Sequence, residues 1–283
     1  MAVSKKTGTG VKKIIALGDV HIRNYKRHEE YANKMRTFFS LVEETCKPYS
    51  SDEVRIVVAG DVLHNKTDIS PEAYLMAANF LKKLGTFAKT IVIAGNHDIS
   101  KNENHLDPMS AIFNITEMDN IVFLDKELSY ESGCYVDDNI VWSLYSSFDG
   151  FKRPNIDKFR IEYPKKTFVG LFHGTLCGSV TDAGYQNTRG LSASYFDNLD
   201  FAILGHIHKR QCIKYEGIPL VYCGSLIQQD MGENLGKHGF LLWDVDDATY
   251  EEIDLPQDEY GYYNFVINSP KDIEDDKEEL INL

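Results

Sequence analysis

Apolar and polar positions follow two rhythms along this chain. The β-branched runs KKIIALGD, VRIVVAGD and TIVIAGNHD predict strands, each ending in a glycine-containing polar turn. Between the first two, His28 to Cys46 places apolar residues at Tyr31, Met35, Phe38, Phe39 and Val42, the spacing of a helix face. Pro71 to Leu84 predicts a second helix, opened by Ser70-Pro71 at the cap and first-turn positions. Strand and helix in alternation argue for βαβ units and a largely parallel sheet. The second half differs. CYVDDNIVWSLYS and CIKYEGIPLVYCGS predict hairpins about Asp-Asp-Asn and Glu-Gly turns, TFVGLFHG and DFAILGH predict strands, and GFLLWDV predicts a last strand before the pattern fades. With no repeat and no low-complexity linker, the expected partition is a flexible segment over 1–11, one domain over 12–250 and an acidic extension over 251–283.

Charge alters this picture only at the end of the chain. The formal charge is −13, but residues 244–283 hold 14 acidic residues against 2 lysines, which leaves the remainder close to neutral. Global charge therefore does not oppose a phosphate-bearing substrate, and a tail such as DIEDDKEEL is expected to be solvated. No apolar run reaches the roughly 18 residues of a membrane span. The N-terminus MAVSKKTGTGVKK lacks the apolar stretch of a secretory signal. An intracellular, cytoplasmic protein with no membrane association is expected. Five scattered cysteines without a Cys-x-x-Cys pair point to reduced, mostly buried thiols.

The chemistry gathers at the strand ends: Gly18-Asp19-Val20-His21, Gly60-Asp61-Val62-Leu63-His64, Gly95-Asn96-His97-Asp98, Phe172-His173-Gly174 and Gly205-His206-Ile207-His208. In open α/β sheets ligands bind beyond the carboxyl ends of the strands. A lone histidine there is more often a structural hydrogen-bonding residue. Six of the nine histidines in five such ends do not fit that explanation. Imidazole mixed with carboxylate and amide oxygen, without thiolate, suits hard-to-borderline divalent ions and disfavours thiolate-bound structural zinc.

Asp-x-His sets both side chains on one side of an extended segment, so Asp19 and His21 can grip one ion; His206 and His208 share that spacing. Asp61 is the natural bridge between two ions, and Asn96 a neutral oxygen ligand. Two such ions activate water and hold a phosphate for in-line displacement. His97 is the candidate acid for the leaving oxygen, with Asp98 expected to orient it and raise its pKa. An ordinary loop hydrogen bond is the alternative role for His97.

These ordered motifs, over roughly residues 12 to 245, resemble the calcineurin-like metallophosphoesterase superfamily. Within it DVHIRNYKRHEEY, GDVLHNKTDISPEA, GNHD, GHIHKRQ and GIPLVYCGSLIQQDMGE followed by GFLLWD resemble the SbcD and Mre type of DNA repair exonuclease, in a short viral or phage-like form. The resemblance implies a four-layer αββα sandwich of two mixed β-sheets flanked by helices. It implies Asp19, His21, Asp61 and His208 around a first metal, and Asp61, Asn96, His173 and His206 around a second. His97 would be the catalytic histidine and manganese the usual ion, with magnesium, iron and zinc open. His64, where related phosphatases carry Asp-Arg-Gly after Gly-Asp, corresponds to a nuclease-type histidine that helps place the scissile phosphate.

By the same resemblance the partners would be DNA, a coiled-coil ATPase of the SbcC or Rad type, and a second copy in a homodimer. Fewer than 40 residues follow GFLLWDV, too few for the capping domain and ATPase-binding segment of longer members. Arg23, Lys26, Arg27, Lys209 and Arg210 are candidates for phosphate contacts, with a solvated surface role equally open. Gly224-Ser225 is expected to form a tight turn near the site or a purely structural hairpin exit. Two further functions stay open: hydrolysis of a small-molecule or protein phosphoester, and a non-catalytic binding scaffold.

Overall fold

The computed structural model describes residues 10–100, 107–115, 117–256 and 260–262. The stretch DIEDDKEEL and most of the N-terminal segment lie outside the described residues. One six-stranded sheet carries β1 (Lys13–Leu17), β2 (Val54–Ala59), β3 (Lys89–Ile93) and β4 (Ile121–Phe123) in parallel. The second carries β5 (Gly133–Asp137), β6 (Ile140–Tyr145), β7 (Thr167–His173), β8 (Phe201–Gly205), β9 (Gln211–Tyr215) and β10 (Ile218–Tyr222), ordered β5-β6-β7-β8-β10-β9. Its central strands β6, β7, β8 and β10 run parallel, while β5 and β9 close it as the antiparallel arms of the two expected hairpins.

β11 (Gly239–Asp244) pairs antiparallel with β1, and β12 (Thr249–Asp254) pairs antiparallel with β11 as the sheet edge. The sequence pattern stops at β11. The added strand reads as polar because at the sheet edge only Tyr250 and Ile253 are partly covered, so few apolar residues are needed. It carries the sheet past residue 250, and the buried Leu255 extends the core with it.

Period-two alternation sorts the side chains into layers. From β1, Ile15 and Leu17 face α1 (His28–Cys46) and α2 (Pro71–Gly85), where Phe38, Val42, Phe80 and Leu84 complete one core. Ile14 and Ala16 face the second sheet and join Trp142, Leu171, Ile203 and Trp243. The outer face of the second sheet buries Phe168, Phe172 and Tyr222 under Phe196, Leu199 and Ile156. Ile156 opens α5 (Ile156–Glu162), which follows α3 (Pro108–Ile115) and α4 (Leu124–Glu127). Helix, sheet, sheet and helix thus stack as the expected four layers.

The α2 entry is as the sequence predicts: Ser70 Oγ accepts from the Ala73 amide, with Pro71 at the first turn. All five cysteines are free thiols, but only Cys223 is buried, and Cys177 and Cys212 are exposed. Cys212 sits on β9, whose alternation turns every second side chain to solvent. No helix among the described residues is long and apolar enough to cross a membrane.

Candidate metal centre

The parallel strands of both sheets end at one edge, and the loops that leave them interlock. The Asp19 amide donates to Gly60 O at 3.0 Å, that of His21 to Asp61 O at 2.9 Å and that of Ile22 to Val62 O at 2.9 Å. His173, the last residue of β7, donates from Nδ1 to Ala59 O at 2.7 Å and so ties the second sheet to β2. Asp19 and His21 both have φ of 51°, Asp61 has 53° and His206 has 91°. The Asp19-Val20-His21 segment is therefore not the extended one that its spacing suggested. The two side chains converge because both residues turn left-handed while the loop ladder holds them. Such backbone costs of order 1–3 kcal/mol per residue and persists only where surroundings over-determine it. Glycine is required beside these turns: a Cβ on Gly60 would lie 2.4 Å from His173 Nδ1, and one on Gly95 2.1 Å from Asp61 Oδ1.

All seven predicted ligands come together. Donor atoms of Asp19, His21 and His208 form one group, and those of Asp61, His173 and His206 a second, each within 4.8 Å. Asn96 Oδ1 joins the second at 2.8 Å from His206 Nδ1 and 3.2 Å from His173 Nε2. Asp61 Oδ2 lies 3.2 Å from His173 Nε2 and 3.5 Å from His21 Nε2, which places its carboxylate between the groups as a bridge requires. His206 and His208 divide between the two groups rather than sharing one. His21, His64 and His97 form a third convergent group, but it has no carboxylate to offset a cation's charge.

Electrostatics suit a cation. Asp19 and Asp61 are 0% and 2% exposed, and among the described residues their ion-pair contacts are to histidines. Burial pushes the Asp19 carboxyl up to about 6, against the pull of His173 and His208. Burial opposes charge on His173, yet the carboxylates of Asp61 and Asp19 outweigh it and hold that imidazolium up to about 10. Burial likewise opposes charge on His208, and hydrogen bonding to Glu233 raises it to about 9. His206 is lowered to about 4 by burial and the nearby His173. Protons on His173 and His208 thus offset the charge of the buried carboxylates. Oxygen and imidazole donors of this kind fit divalent cations.

His97 and His64 face the same cavity of about 200 Å³, with His21, Asp61, His206, His208, Arg23, Gln229 and Asp230. Their rings stack at 5.3 Å. The His97 Nδ1–H donates to His64 O at 2.5 Å, and its backbone amide donates to Asp61 Oδ1 at 2.8 Å. Asp98 does not orient His97, contrary to the expectation. It is fully buried, and its carboxylate accepts from the amides of Gly95 at 3.0 Å, Leu63 at 3.1 Å and Val62 at 3.3 Å. The Asp98 amide donates to Gly95 O, and this tight turn directs the side chain back to pin the β2 and β3 loops together. A backbone carbonyl, that of His64, holds His97 instead.

The basic candidates separate. Arg23 reaches the cavity, with Nη1 3.1 Å from His64 Nε2 and Nη2 3.1 Å from Gln229 O. A guanidinium only donates, so His64 Nε2 accepts, and burial followed by the Arg23 charge lowers that imidazole to about 4. Arg27 is committed to Glu30 and Gln228 O, and Arg210 to Asp254, Glu252 and Cys223 O. Lys26 is exposed. Lys209 lines a neighbouring cavity of about 500 Å³ with Lys237 and Asn234.

Sequence reasoning missed Glu233. Its buried carboxylate takes His208 Nδ1 at 2.6 Å, Ser225 Oγ at 3.0 Å and the Gln229 amide at 2.8 Å. Ser225 therefore supports the site through Glu233, so the Gly224-Ser225 turn is more than a hairpin exit. The glutamate ends the quoted GSLIQQDMGE stretch, where irregular structure leaves no periodicity to mark it as buried.

A family model described as calcineurin-like phosphoesterase matches residues 12–210. An uncharacterized protein of Acanthamoeba polyphaga mimivirus is 36% identical over 264 residues, covering 90% of this chain and 19% of its own length; the chain thus spans about a fifth of that relative. "Putative phosphoesterase 244L" of Invertebrate iridescent virus 6 is 22% identical over 250 residues, covering 86% of this chain and 79% of the relative. Among solved structures, a "Putative 5'-Nucleotidase" from Staphylococcus aureus shares the fold with a TM-score of 0.50 at 13% identity, over 95% of this chain and 58% of that one.

Proposed function

Because the chain belongs to the calcineurin-like phosphoesterase family, we propose that it is a two-metal phosphodiesterase and that its substrate is DNA, cut in the manner of an SbcD or Mre type nuclease. Asp19, His21 and His208 would hold one ion, Asn96, His173 and His206 the other, and Asp61 would touch both; manganese is the ion proposed. The chemistry supplied by a pair of divalent cations at such residues is Lewis acidity toward water and phosphate.

The observation that carries this reading is the shared cavity, where His97, His64 and Arg23 stand with four of the ligand residues, His21, Asp61, His206 and His208. With Nδ1–H held by the His64 carbonyl, His97 turns only Nε2 toward a substrate, and a protonated Nε2 donates to the departing alkoxide. Arg23 brings a guanidinium that can pair with a phosphodiester oxygen. His64, kept neutral, fixes the wall between them.

Manganese-loaded protein incubated with labelled single- and double-stranded DNA, and separately with bis(4-nitrophenyl) phosphate, tests the assignment. DNA cleavage is expected. Turnover of the small diester without DNA cleavage moves the assignment to a small phosphoester. Neither reaction, with the metals bound, overturns phosphodiesterase activity.

A further inference from the structure

Two residues beyond the cavity-lining Arg23, the ring of Tyr25 is 76% exposed on a backbone with φ of 55°. A bulky residue in the left-handed region is strained, and an exposed tyrosine recovers nothing by packing. The strain is not relieved by mobility, because the segment is fastened on both sides. Asn24 Nδ2 donates to Asp68 O and Asn24 Oδ1 accepts the Ser70 amide at 2.9 Å. His28 Nε2 donates to Arg23 O at 2.6 Å. Arg27, also left-handed at φ 59°, is clamped by Glu30 and by Gln228 O at 2.6 Å, with its guanidinium 4.8 Å from the Tyr262 ring. The fold thus holds an aromatic ring in solvent, within about 7 Å of backbone from Arg23, with exposed Lys26 beside it.

The catalytic cavity, at about 200 Å³, is below the roughly 300–1,000 Å³ that encloses a small-molecule ligand. It has room for a phosphate group and its immediate oxygens. A nucleobase attached to that phosphate lies outside this cavity, and at its Arg23 side an aromatic face beside a cationic residue is the kind of surface that takes an unpaired base without reading its identity.

We propose that Tyr25 is a stacking platform for the base adjacent to the phosphate being cut, so that this enzyme takes its substrate as single-stranded nucleic acid; the proposal rests on the phosphodiesterase reading above. A base inside a duplex is already stacked on both faces and cannot use the ring. Arg23 then anchors the phosphate and Tyr25 the base of the same strand.

The test uses manganese-loaded protein and two short single-stranded oligonucleotides, one complete and one with an abasic residue next to the cleaved bond. Wild type should show a KM about tenfold lower for the complete strand, the scale of one base–aromatic stack. Tyr25→Ala should erase that preference, and Tyr25→Phe should keep it. Since the ring is exposed and alanine meets the same backbone strain, folding is not at issue. A 2-aminopurine at the same position should be quenched on binding to wild type and not to Tyr25→Ala. Equal preference for the complete strand in wild type and Tyr25→Ala, in an enzyme that cleaves both, overturns the stacking role alone. A wild type that hydrolyses bis(4-nitrophenyl) phosphate but neither binds nor cleaves the oligonucleotides overturns the nucleic-acid reading and the platform with it.

Discussion

The Glu233 carboxylate lies 2.6 Å from Nδ1 of His208, which commits that nitrogen and turns Nε2 of the same ring to within 3.1 Å of His21 Nε2. Carboxylates behind a ligating histidine fix its tautomer and raise its basicity, and their loss commonly costs about 10–100-fold in metal affinity. Glu233→Ala should weaken one of two manganese-binding events by that factor in titration calorimetry. Glu233→Gln should lie between, since its amide oxygen still accepts from Nδ1–H. Two undisturbed events in Glu233→Ala would remove this role.

His97→Asn should keep both ions and lose about 10²–10⁴ in kcat, the scale of a positioned general acid. The His97 side chain is held by a carbonyl, and only its backbone amide touches Asp61. Metal content and single-turnover rates on one preparation check this. A variant with wild-type turnover would exclude His97 from proton transfer.

Metal affinity should rise with pH. His173 and His208 carry protons up to about 10 and about 9 in the metal-free protein, through carboxylate neighbours that outweigh burial. Ligation needs the neutral ring, so binding near pH 7 must expel protons, and raising pH toward 9 weakens that competition. Calorimetry in buffers of different ionisation enthalpy should report proton release. Affinity flat from pH 6 to 9 with no release would contradict the assignment.

The recurring strand-turn signals made β1, β2, β3, β7 and β8 legible, because parallel strands buried on both faces are nearly continuous apolar runs. Their ends carried the ligands, so the centre was legible with them. β12 was not, since an edge strand ending in charged residues lacks that signal. Asp98 misled for a local reason: adjacency to His97 suggests a pair, whereas the turn after Gly95 sends its carboxylate to three backbone amides. Glu233 depends on a contact with His208 across 25 residues of sequence, and only the folded loop reveals it.

Asp125 offers a test away from the centre. Its carboxylate accepts from the Ala94 amide at 2.8 Å and Ser146 Oγ at 2.6 Å, and burial pushes it up to about 6. A raised folded pKa means that its stabilising contribution is full below about pH 4 and is lost as pH rises through 6. In urea unfolding, stability of Asp125→Asn relative to wild type should therefore increase between pH 4.5 and 7, by up to about 2 kcal/mol. A pH-independent difference would show that the carboxyl titrates alike in both states.

The claim on which the rest depends is that Asp61 sits between two ions at one centre. Electron paramagnetic resonance of protein titrated with two equivalents of manganese tests it directly. An exchange-coupled pair is expected in wild type, replaced in Asp61→Ala by an uncoupled signal of reduced occupancy. A wild-type spectrum of one ion, or of two that do not sense each other, would contradict it.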